Sequence, residues 1–146
     1  MIDISILTSN ILNILKSDKN IVKEKMAVEY SEYINLDPGN APWIGFYNKS
    51  VKYDPRTLGK HSASWDAEIE IDFLIQASDL ESGKNCSDKL NKYIKYVLDA
   101  LWSDPGFKSS VDMVTGFDIN YLYEREQSET IYFQMADITL TLKASS

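Results

Sequence analysis

The sequence predicts an α+β domain: an antiparallel sheet of about four main strands with two helices packed on one face, and a long extended loop between residues 34 and 65. Three observations lead there. The stretches Ile4–Lys16 and Ser82–Trp102 repeat apolar residues at intervals of three and four, which is the spacing of one helix face. Other stretches, led by Trp65–Ala77, alternate apolar and polar residues, as a strand with one buried face does. Finally, the order helix, strands, helix, two strands lacks the βαβ alternation of a parallel sheet. At 146 residues the chain reads as a single domain, 1–146, long enough to bury roughly two thirds of its unfolded surface.

In the first helix Ile4, Leu7, Ile11, Leu12 and Leu15 form the stripe. Asp3 or Ser5 is available as N-cap, and Lys16 suits the negative end of the helix dipole. A polar turn around Asp18–Asn20 precedes a strand within Met26–Tyr33. The segment Ile34–Trp65 then holds three of the four prolines, half the glycines, two of the three tryptophans and the only histidine. It shows no strong periodicity, and so long a segment in a compact domain usually works as a binding surface.

The clearest strand follows. Trp65, Ala67, Ile69, Ile71, Phe73, Ile75 and Ala77 share one face, while Asp66, Glu68, Glu70, Asp72 and Gln76 share the other. In the long helix Cys86, Leu90, Tyr93, Ile94, Val97, Leu98, Leu101 and Trp102 make the stripe, and Asp104-Pro105-Gly106 ends it. Two strands close the chain, Val114–Glu124 and Thr130–Lys143, joined through Glu124–Glu129. The first alternates through Phe117, Ile119, Tyr121 and Tyr123. The second changes phase between Met135 and Ile138, which predicts a β-bulge near Ala136-Asp137 that keeps both apolar sets on the core side.

Charge narrows the function. The net charge is −7 and arginine occurs only at Arg56 and Arg125, so no basic stripe offers itself to nucleic-acid phosphates. Cys86 is alone, which excludes an internal disulfide and suits a reducing compartment. The start Met1-Ile2-Asp3-Ile4 lacks signal-peptide character, and no apolar run approaches the ~18 residues of a membrane span. The expectation is a soluble protein made in the cytoplasm.

No catalytic motif stands out. Glycine-rich phosphate loops, HExxH or CxxC metal spacings, nucleophile elbows and kinase signatures are missing from the sequence. His61, between Lys60 and Ser62, reads as a solvated loop histidine, and Cys86 as a small hydrophobe on a helix stripe. In the acidic row Asp66, Glu68, Glu70, Asp72, alternate carboxylates stand ~6.5–7 Å apart, a separation that inverting glycosidases use. A regular open row supplies neither the cleft nor the unequal environments of such a pair, nor the convergence a metal needs. It reads as a solvated sheet face or a functional acidic surface. Trp43 and Tyr47 lean towards an interface, whereas Tyr93, Tyr121 and Tyr123 suit the core.

Taken together, "NLDPGNAPWIGFY", "VKYDPRTLG", "WDAEIEIDFLIQAS" and "VDMVTGFDINYLYE" with "ETIYFQMADITLTL" resemble the tail terminator (tail completion) proteins of long-tailed bacteriophages. The resemblance runs from about Ile4 to Leu142 and rests on the order and spacing of the segments. It implies an α+β structural subunit, without enzymatic activity or cofactor, that forms a homohexameric ring on the head-proximal end of the tail tube. Its implied partners are the tail tube protein, the head-neck connector protein and, in a contractile tail, the sheath protein. Genomic DNA would pass through without specific binding. The implied place is the virion, after assembly in the host cytoplasm.

Position in the sequence, not the family, nominates the contacts: Asp37, Pro38, Trp43, Phe46, Tyr47, Tyr53 and Arg56 against a neighbouring subunit or the tube end. Pro38, Pro42 and Pro55 would stiffen that arm and lower the entropy lost on ordering it. Asp66, Glu68, Glu70 and Asp72 are the expected lining of an acidic lumen that repels DNA. The alternatives are another tail or neck subunit (tube, sheath or connector adaptor) and a small acidic enzyme or ligand-binding domain using His61, Arg56 and the carboxylate row.

Overall fold

The computed structural model describes residues 3–31, 42–58, 63–122 and 131–145, with backbone alone at 54–58 and 63–65. Along them run α1 (Ile4–Ser17), α2 (Lys19–Lys23), β1 (Ala27–Tyr30), β2 (Trp43–Leu58), β3 (Ala63–Asp79), α3 (Gly83–Ser103), α4 (Pro105–Ser110), β4 (Met113–Leu122) and β5 (Tyr132–Ser145). The class is α+β. The sheet has five strands in the order β1-β2-β3-β5-β4, and it is mixed because β1 runs parallel to β2.

The helices begin where short polar side chains can accept from free backbone N–H groups. Asp3 caps α1 by accepting from the N–H groups of Ser5 and Ile6, and Ser82 caps α3 by accepting from that of Asn85. The expected turn at Asp18 is a cap as well: its carboxylate accepts from Asn20 and Ile21 and opens the five-residue α2. Lys25, in the left-handed conformation at φ 55°, leads the chain out of that helix. Asp104 plays the same part for α4, with Pro105 in the first turn, where its missing N–H costs nothing. Thus Asp104-Pro105 ends one helix and starts another.

The core lies between the helices and one face of the sheet. Leu7, Ile11 and Leu15 of α1 and Cys86, Leu90, Val97 and Leu101 of α3 pack there. They meet Ile44 and Phe46 of β2, Ile69, Ile71, Phe73 and Ile75 of β3, and Ile138, Leu140 and Leu142 of β5. At ~1.5–3 kcal/mol for each large aliphatic or aromatic side chain, this face dominates the stability of the fold. Trp102 departs from its expected stripe and is exposed, and Leu98 is only partly buried.

The loop expected over residues 34–65 is corrected where it is described: Trp43–Leu58 and the residues from Ala63 onward form the long β2–β3 hairpin. The alternation of β2 was hidden by register shifts between Asn48 and Ser50 and between Pro55 and Thr57. A bulge of this kind inserts a residue and breaks the period of two. Pro55 is tolerated because β2, beyond Phe46, has no described strand on its outer side.

The bulge expected at Ala136-Asp137 is absent. β5 pairs with β3 without a break from Tyr132 to Ser145. Ala136, Ile138, Leu140 and Leu142 face the helices, while Phe133 and Met135 point to the opposite face and are buried there. The phase change therefore reports a strand buried on both faces at one end. The bulge lies in β4, between Val114 and Gly116.

Candidate functional site

The sheet face turned away from the helices divides into two regions. Towards Asp79 on β3 it is closed: Trp43, Leu74, Gln76 and Met135 are almost wholly buried. The Trp43 indole lies over its own strand two residues on, so that a Cβ on Gly45 would overlap the ring. Its Nε1 donates to Glu29 Oε1 at 2.7 Å, tying β2 to β1. Neither polar atom of the Gln76 side chain has a hydrogen-bond partner among the described residues.

Next to this region sits a polar network. Asp72, 1% exposed, accepts from the Tyr47 hydroxyl at Oδ2 and from Thr139 Oγ1 at Oδ1, both at 2.8 Å. Lys49 Nζ stands 4.0 Å from Oδ2. Burial and then the nearby Asp72 charge push the Asp137 carboxyl above its ordinary range, and Asp137 Oδ1 has no partner among the described residues.

Two groups of expected contact residues are relocated by these facts. Trp43 and Phe46 are core side chains: Phe46 is fully buried, stacked on Phe73 and edge-on to Tyr30. Tyr47 belongs to the Asp72 network, and Tyr53 is partly buried against the core. Arg56 lies on β2, but its side chain falls outside the described residues, as do Asp37, Pro38 and His61. In the acidic row Glu68 is exposed and Asp66 and Glu70 are intermediate, whereas Asp72 is buried and cannot line a solvent-filled channel. The even solvated face expected from the alternation is thus restricted to the part of β3 nearer the hairpin tip.

The exposed apolar surface lies at the opposite edge of the sheet. β4 is ten residues long and pairs with β5 on one side alone among the described strands. Met113, Val114, Phe117, Tyr121 and Leu122 are all exposed, Phe117 and Tyr121 each at 40%. The strand contains no proline or lysine and one charge, Asp118. Natural edge strands usually carry such blocking features, because bare N–H and C=O groups recruit another strand. At the start of β4 the surface continues into a groove of about 180 Å3 lined by Trp102, Phe107, Lys108, Val111, Asp112, Met113 and Val114.

Sequence reasoning read Phe117 and Tyr121 as one alternating face of a strand, and Tyr121 as suited to the core. Their exposure follows from position in the sheet: β4 is outermost among the described strands, and the Tyr121 hydroxyl donates to Asn91 Oδ1 of α3 at 2.8 Å. The available signal was the second phase, Met113, Gly116, Asp118, Asn120 and Leu122, which mixes apolar and polar residues.

No group of three or more potential metal-binding side chains converges among the described residues. No described helix is long and apolar enough to cross a membrane. No protein-family model matches the chain, and no curated protein matches its sequence.

Proposed function

We propose that this chain is a structural subunit of a phage tail, a tail terminator that closes into a hexameric ring on the head-proximal end of the tail tube. In that position it ends tube polymerisation and offers a surface to the head-neck connector. The observation that carries the assembly reading is the outermost place of β4, which pairs with β5 alone among the described strands and leaves Met113, Val114, Phe117 and Leu122 exposed. The resemblance of the sequence segments supplies the kind of assembly.

Several features suit this reading. A ring needs two different patches that meet head to tail, and the two ends of an open sheet provide them. Asp66, Glu68 and Glu70 lie on the sheet face opposite the helices. Turned towards the ring axis, they would repel the DNA duplex, which carries one charge per ~1.7 Å, and let it slide. The tube protein, the connector protein and, in a contractile tail, the sheath protein are the proposed partners, and the assembled virion is the proposed location.

Deleting the gene separates this role from that of another tail subunit. Loss of a terminator gives overlong tubes and unattached heads. Loss of a tube protein gives no tubes, and that result would overturn the assignment.

A further inference from the structure

We infer that Leu80, on the turn between β3 and α3, seats in the groove beside β4 of a second copy of this chain. This rests on the assembly reading above and names its contact. Leu80 is 74% exposed, more than any other large hydrophobic side chain described, and Glu81 beside it is exposed as well. Tyr132, which pairs with Asp79 in the β3–β5 ladder, adds a second exposed side chain to this apolar tip. The groove is lined by buried Phe107, by the Trp102 ring tilted against it, and by exposed Met113 and Val114. A cavity of ~150 Å3 takes a benzene-sized guest, so a groove of about 180 Å3 admits one leucine side chain and no helix or strand.

Charge and position select this occupant. Lys108 lines the groove and Lys143 stands opposite Met113 in the β4–β5 register. Both are exposed, and neither pairs with a carboxylate among the described residues. Asp112, the acid of the lining, already accepts from the Ser145 hydroxyl at 2.6 Å. At the tip Asp79 is matched by Lys89 and Asp88 by Lys84. Glu81, which accepts from Asn85 Nδ2 at 3.2 Å, keeps a negative charge that suits the two lysines. Val22, also exposed, is flanked by Lys19 and Lys23, which have the same sign as the groove. The tip and the groove lie towards opposite ends of β5: Asp79 pairs with Tyr132 and Met113 with Lys143, eleven residues and roughly 35 Å along the strand. One chain therefore cannot fill its own groove. A contact between two different patches is heterologous, so its repetition closes into a ring or runs on as a filament.

The test uses two variants of the full chain at exposed positions, Leu80→Asp at the tip and Met113→Asp at the groove, with circular dichroism as the check on folding. Sedimentation is expected to show self-association at least tenfold weaker for each variant alone. Mixed, the two form a discrete pair of about twice 16.7 kDa, since each keeps the half that the other lost. Lys108→Glu weakens association as well, and adding Glu81→Lys to the same chain restores it, a recovery that general surface damage would not give. If the wild type associates only on purified tubes, the same variants are compared there by ring occupancy. Association that survives Leu80→Asp overturns the contact while leaving the tail role standing. Loss with Leu80→Asp but with neither groove variant overturns the groove as its seat. A wild-type chain that stays monomeric in solution and on purified tubes overturns both the contact and the tail role.

Discussion

Tyr47 donates its hydroxyl to Oδ2 of Asp72 at 2.8 Å across one rung of the β2–β3 ladder, and so holds a carboxylate that is almost wholly buried. With Thr139 on the other oxygen, both acceptor atoms are occupied. Two residues that the sequence nominates for contact and lumen surfaces therefore form an internal brace between neighbouring strands.

Tyr47→Phe should lower stability by about 1.5–3 kcal/mol at neutral pH, the range for a hydrogen bond to a charged group. Urea unfolding of the isolated chain checks this. Unchanged stability would place the phenol on the surface, as the sequence suggests.

Trp43→Ala should cost about 3–5 kcal/mol, as for other buried aromatic truncations. Gly45→Ala, which drives a methyl group into the indole, should cost about 1–3 kcal/mol. Both losses should appear in the unfolding of the monomer. A Trp43 variant of native stability that fails only to assemble would return this side chain to the interface.

Asp137→Asn should raise stability at neutral pH and leave it unchanged in strong acid. The sign follows from the raised affinity of Asp137 for its proton. Between the ordinary carboxylate range and the higher folded value, the folded state holds a proton that the unfolded state has lost, so stability falls as pH rises through that window. Asn removes the fall. Asp79 works in the opposite sense: its ion pair and hydrogen bond with Lys89, then the Ser82 and Glu81 N–H groups, lower its pKa to about 2. Its contribution is complete above the ordinary range and is lost as pH drops towards that value. Urea midpoints from acid to neutral pH should converge for wild type and Asp137→Asn at the acid end alone.

What could be read from the sequence was set by how regular each element's surroundings are. α1 and α3 pack one face on the core and expose another, and β3 keeps its alternation even though both its faces are buried from Ile71 to Ala77, so their periods survive in the sequence; the α1 cap, Asp3, is one of the two residues expected for it. β2 escaped because two register shifts break its alternation. β5 was given a bulge because Phe133 and Met135 are buried on the second face, and period alone cannot separate a kinked strand from one covered on both sides. The proposed assembly surface was harder still. Phe117 and Tyr121 have the pattern of core residues, and what makes them surface is the outermost place of β4 in the sheet, a consequence of strand order.

Electron microscopy of purified tail-tube protein polymerised with and without this chain tests the central claim most directly. The account predicts tubes of arrested length, each with a six-fold ring of this protein on one end. Tubes that grow equally long in both preparations, with the chain left free in solution, would contradict it.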